Sequence, residues 1–135
     1  MNIREGASYL KYHTWFYNEG SMPHRHFVCN LNKVHMKILM QFRLSCSCLA
    51  INNHSIPRSA RCCPFCANAI EDEKHFIFAC QGYNSIRTHQ DFAVLWATSE
   101  RHDMKQFFNQ VDQALIAKAI LSMYKLRSTK LQSQT

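Results

Sequence analysis

Two short runs in this 135-residue chain place metal-ligand side chains at close spacing. The first is Cys63-Pro64-Phe65-Cys66; the second, after an eight-residue spacer, is His75-Phe76-Ile77-Phe78-Ala79-Cys80. A tight C-x2-C turn presents two thiolates to one ion, and the spacer is long enough to bring the chain back to it. Three thiolates and one imidazole favour zinc over harder cations. With Cys63, Cys66, His75 and Cys80 all supplied by the protein, no position is left for a reacting water, so a structural site is expected.

Competing readings of the same residues are bland or redox. Seven Cys and eight His leave room for a chance CCHC pattern. Cys62 is an alternative first ligand, although C-x3-C is a less usual turn than C-x2-C. The Cys63-Pro64-Phe65-Cys66 turn is similar to glutaredoxin-type dithiols, but those open a βαβ unit, and no strand–helix–strand pattern surrounds it. Cys46, Cys48 and His54 have no fourth ligand at compatible spacing and read as structural; Cys29 and Cys46 read as core residues.

The spacing of the second pair constrains its backbone. Residues five apart on an ideal α-helix differ in direction by about 140°. His75 and Cys80 therefore cannot share a face of a regular helix. Either His75 sits at or before the first turn, or the helix is loosened there.

The elements that must position these ligands read as helical. Leu31, Val34, Ile38 and Phe42 recur at spacings of three and four, predicting a helix from about His24 to Cys48, with Leu39, Cys46 and Leu49 near the same stripe. Ile51 to Ala60 reads as a loop. Glu71-Asp72-Glu73 reads as charge at a helix entry, followed by Phe76, Cys80, Tyr83 and Ile86 or Arg87 at helical spacing, with a possible break at Gly82 before Trp96. Thr98 and Ser99 offer caps. Met104, Phe107, Phe108, Val111, Leu115, Ala119 and Met123 form an amphipathic stripe, on one helix or on two meeting near Asp112. The polar tail after Arg127 is expected to fray. The expected fold is a mainly α, small helical domain organised around a CCHC zinc knuckle, with little or no β. Its segments are an aromatic N-terminal stretch (1–23), a basic helix plus zinc module (24–97) and C-terminal amphipathic helices (98–135).

Charge is unevenly spread. The net +7 concentrates in residues 1–62, which hold eight Lys/Arg against two acids. A basic half of this kind suits a polyanion, RNA or DNA. The candidate contacts are Arg25, Lys33, Lys37, Arg43, Arg58 and Arg61. The other candidate surface is the 104–123 stripe, as a protein-binding groove or dimer seam. No apolar run is long enough to span a membrane, and Met1 to Leu10 does not read as a signal peptide. With an odd number of cysteines, this points to a soluble intracellular chain of the cytoplasm or nucleus rather than a disulfide scaffold.

At this point the residues resemble a known family. Phe42-Arg43-Leu44-Ser45, Leu49-Ala50-Ile51, Ile56-Pro57-Arg58, Arg61, Cys63-Pro64-Phe65-Cys66, Glu71-Asp72-Glu73-Lys74-His75-Phe76, Cys80, Tyr83 and Ile86-Arg87 are similar to the zinc-binding segment downstream of the polymerase in non-LTR retrotransposon reverse transcriptases. Ser47 stands where that family often has His, and Cys62 where it has Leu, the marks of a diverged copy. The resemblance implies zinc on Cys63, Cys66, His75 and Cys80, and a role in handling element RNA or target DNA. The polymerase itself is not expected. It needs paired aspartates for two metal ions, whereas Asp72, Asp91, Asp103 and Asp112 stand apart from one another. No enzymatic activity is expected of the chain alone.

Overall fold

The computed structural model describes residues 31–97 and 103–133. The aromatic segment 1–23, Arg25, Cys29 and the caps Thr98 and Ser99 lie outside the described residues. What is described is mainly helical, and the only pairing of extended backbone among the described residues is an isolated bridge between Cys62 and Ile70.

Helix α1 spans Lys33–Arg43. Its first turn is closed by Asn32, whose side chain accepts from the His35 amide at 2.8 Å, a standard N-cap arrangement. Its far end closes by two nested bonds, Cys46 N to Gln41 O (2.9 Å) and Ser45 N to Phe42 O (3.4 Å). These are the two bonds of a Schellman cap. Ser45 occupies the left-handed position of that cap, with φ of 56°.

The buried face of α1 is Ile38, Leu39, Phe42 and Arg43. This is one step round from the expected stripe: Val34 is 57% exposed. Arg43, expected on a basic outer face, is instead fully buried. Its guanidinium reaches Gln113 Oε1 at 3.1 Å, and Gln113 in turn donates to the carbonyls of Phe108 and Gln110. A charge inside a core needs hydrogen bonds, and Gln113 supplies one of them at Nη2.

The C-terminal stripe lies on two helices that meet where Asp112 stands. Helix α4 (Met104–Phe108) is capped by Asp103 through the Gln106 amide. Helix α5 (Gln113–Ser133) is capped by Asp112 through the Leu115 amide. Between them Val111 is 78% exposed, off the stripe it was expected to join. Helix α5 runs on to Ser133, six residues past Arg127, through the polar tail expected to fray. Two shorter helices, α2 (Asn84–Arg87) and α3 (Ala93–Ala97), precede α4 and α5 in the chain.

α1 packs along α5. One apolar cluster includes Leu39 and Phe42 from α1, Phe76 and Tyr83 from the knuckle, and Phe107, Phe108, Ile116, Ile120 and Met123 from the C-terminal helices. Phe42 lies at the centre of its aromatic part, within 5.8 Å of Phe76, 5.6 Å of Phe108 and 6.3 Å of Tyr124, between ring centroids. Fully burying such a ring stabilises the fold by roughly 1.5–3 kcal/mol. The 104–123 stripe is therefore core, with Met104, Phe107, Phe108, Ile116, Ala119 and Met123 all buried. It is not a free groove or dimer seam, which corrects that expectation.

Candidate metal centre

The knuckle is built by a narrow loop and a widened helical turn. The loop is closed by Cys63 N to Ala69 O (2.8 Å) and Ala69 N to Cys66 O (2.9 Å), which bend Cys63 and Cys66 to the same side. Phe65, between them, folds back over Gly82 and meets Tyr83 edge-on at 5.0 Å. Gly82 is required by this contact: a Cβ there would lie 2.3 Å from Phe65 Cγ.

The turn His75–Ala79 is π-type. Its signature is the bond from Cys80 N to His75 O at 2.8 Å, spanning five residues rather than four. Of the two arrangements that the spacing allowed, this is the loosened helix. Winding wider brings residue i+5 back over residue i, so His75 and Cys80 aim together. Asp72 caps the entry by accepting from the His75 amide at 2.8 Å.

The four side chains converge. Their ligand atoms all lie within 4.8 Å of one another, a cluster that can hold a metal ion. Cys80 Sγ lies 3.6 Å from Cys63 Sγ and 3.7 Å from Cys66 Sγ. Both separations are far beyond the ~2.05 Å of a disulfide. His75 Nε2 is buried and has no hydrogen-bond partner in the protein. An orphaned buried nitrogen is costly, and ligation of a cation would satisfy it.

Burial sets the protonation of the group without a cation. It pushes the Cys63 thiol up, pushes the Cys80 thiol up to about 12, and pulls the His75 ring down. All three shifts favour the neutral form. A dithiol oxidoreductase needs the opposite, a depressed thiol pKa on its nucleophile. A divalent cation would displace the thiol protons instead.

Cys62 stays outside the cluster, with its thiol directed at Ser59 O (3.6 Å). The first cysteine of the cluster is therefore Cys63. Cys46, Cys48 and His54 are exposed and form no second cluster among the described residues. Cys46 is thus not the core residue it was read as.

Four further residues, Glu71, Arg127, Arg87 and Glu73, brace the segments around the cluster. Glu71 was read as helix-entry charge, but it is fully buried. Its carboxylate takes a two-pronged ion pair from Arg127 of α5, at 2.7 and 2.8 Å, and accepts from the Ala50 amide at 2.7 Å. Arg127 was read as the end of the ordered helix, yet its side chain is only 12% exposed. Arg87 ends the π-type turn by donating to the carbonyls of Phe76 and Ile77 at 2.9 and 2.7 Å, and to that of Cys80. Glu73 is buried too and lies 3.5 Å from Asn52 Nδ2. Asp72 alone plays the expected capping part.

The candidate nucleic acid residues divide. Lys33, Lys37 and Arg58 are exposed, the two lysines one helical turn apart on α1. Arg43 is buried and is removed from the set. Arg61 is half-buried, donating to the carbonyls of Ile56 and Ile51 at 3.1 Å each, and so braces the loop before the first ligand. No helix among the described residues is long and apolar enough to cross a membrane. Comparison with family models, curated proteins and solved structures finds no match to this chain.

Proposed function

We propose that this chain is a structural zinc module derived from a non-LTR retrotransposon reverse transcriptase, and that it contacts RNA or target DNA. The observation that supports zinc is the sulfur geometry. Two thiolates at 2.3 Å from a tetrahedral ion lie about 3.8 Å apart, and Cys80 Sγ stands 3.6 and 3.7 Å from its two neighbours. Cys63, Cys66, His75 and Cys80 would fill all four positions, and the ion would add folding free energy rather than chemistry. In this reading the chain has no enzymatic activity of its own.

Support for nucleic acid is the basic, exposed edge of α1, Lys33 and Lys37, together with Arg58 on the loop before the knuckle. Phosphate contacts release counterions, so such binding weakens steeply with salt.

The test has two arms. Elemental analysis of the purified chain should return one zinc, absent from Cys66→Ser; no zinc, with the fold retained under chelator, rejects the metal reading. Mobility shifts on single- and double-stranded RNA and DNA at 50 and 200 mM salt address the second arm. Binding that falls with salt and is weakened by Lys33→Gln with Lys37→Gln supports it. Binding to none of the four probes rejects it while leaving the metal arm intact.

A further inference from the structure

The turn that joins His75 to Cys80 carries one guanidinium on three of its carbonyls. Arg87 Nε donates to Ile77 O at 2.7 Å, Nη2 to Phe76 O at 2.9 Å, and Nη1 to Cys80 O and to Asn84 Oδ1, the latter at 2.9 Å. The last turn of any helix leaves carbonyls without amide partners. Here those carbonyls splay because the turn is wound wide, and a planar fork with five N–H donors can collect them from one point. Trp96 Nε1 adds a second donor to Ile77 O at 2.9 Å.

Charge points the same way. A divalent cation held by three thiolates and a neutral imidazole carries one net negative charge. Arg87 is half-buried with its head on the Cys80 carbonyl, so its positive charge stands beside that complex, where low dielectric strengthens the attraction.

We infer that Arg87 is the positioning residue of the metal centre. It holds the His75–Cys80 turn at the width that aims both ligands at one ion, and it sets a compensating charge beside them. The inference rests on the metal reading above. The fork is the larger part of the effect, because the three carbonyls are met by three separate nitrogens, Nε, Nη1 and Nη2, and an ammonium carries all its donors on one.

The experiment uses the full chain, with zinc affinity measured by competition against a chromophoric chelator. Cobalt(II) serves as a spectroscopic stand-in through its visible ligand-field bands. Arg87→Lys keeps the charge and loses the fork; Arg87→Gln loses both. Both should lose zinc affinity by about 10- to 100-fold, the usual effect of removing a residue that orients metal ligands, with Lys nearly as damaging as Gln. The cobalt bands of both should shift from those of the native chain. Asn84→Ala removes one of the two acceptors of Nη1 and should give a measurable loss of affinity, smaller than about tenfold. Native affinity and native cobalt bands in Arg87→Lys overturn the inference, whatever happens to its melting temperature. Should the Arg87 variants not fold, Asn84→Ala decides, and unchanged affinity there overturns it. A native chain that takes up neither zinc nor cobalt overturns the metal reading and this inference with it. The Arg87→Lys result leaves the metal reading standing, so the two failures are distinguishable.

Discussion

The knuckle and the α1–α5 pair are neighbours held together by different physics. α1 and α5 meet through fully buried apolar residues, Leu39 and Phe42 on one side and Ile116, Ile120 and Met123 on the other. Their stability is area-driven and tolerant of chemistry. In residues 61–87 the helical segments are only three to five residues long, held by side chains bonded to backbone carbonyls around the converging thiols. Phe76 and Tyr83 tie the two regions through the shared core, and Glu71–Arg127 ties them through charge. The contrast teaches that a small module can take its shape from apolar burial in one half and from a converging Cys/His cluster and side-chain hydrogen bonds in the other, provided a few residues belong to both.

The largest expected effect comes from removing a ligand. Structural zinc contributes on the order of 10 kcal/mol in small peptides, as much as the whole margin of a typical domain. Cys80→Ser should abolish amide-exchange protection across 61–87 while α1 and α5 keep measurable protection. Simultaneous loss in both regions would show that they form one cooperative unit and would break the comparison.

Next comes the pair that bridges the regions. Glu71→Gln leaves the Arg127 charge inside without its counter-charge, and breaking a buried pair in this way costs about 3–5 kcal/mol. Urea unfolding measures it. A loss below about 1 kcal/mol, the range of surface pairs, would mean that the two regions are linked by the core alone.

A smaller effect tests the packing inside the knuckle. Gly82→Ala pushes a methyl group into the Phe65 ring and should destabilise by about 1–3 kcal/mol, as overpacking does, lowering the thermal midpoint of the zinc-loaded chain. An unchanged midpoint would show that the Phe65 lid is loose.

The smallest effect has the opposite sign and belongs to α1. Ser45→Gly relieves a left-handed serine and removes a buried hydroxyl that has no partner. It should stabilise by about 1 kcal/mol without altering metal content. A destabilised variant would overturn the strain argument.

The Cys63, Cys66, His75 and Cys80 cluster was legible because metal-ligand residues stand at local spacing, and the widened turn was one of two arrangements left open by His75 and Cys80 standing five apart. The helical class was legible from periodicity. What was hidden lies in partners remote in sequence. Glu71 sits in a run of acids that fits a helix entry equally well, and nothing local reports that Arg127, 56 residues on, waits for it. Arg43 looks like an outward basic residue until α1 is seen turned by one position, with Val34 outside and Arg43 bonded to Gln113. The stripe at 104–123 had the pattern of either a core face or a docking face, and periodicity does not distinguish these. What distinguishes them is α1 lying along α5.

The π-type turn has one more consequence. An α-helical H-x3-C would also bring a histidine and a cysteine to one face, since four residues make slightly more than a full turn. Relative to that arrangement, the chain carries one surplus residue between its ligands. Pairing His75 with Cys80 does not require it; it resets the angular phase of everything downstream. Deleting Phe78 would keep two ligand types aligned but rotate Gly82, Tyr83 and Arg87 by about 100°. Phe65 would then lose the bare backbone it rests on, and the carbonyls would lose their guanidinium. The extra residue acts as a clocking element, fixing how the metal half of the molecule is turned against the apolar half.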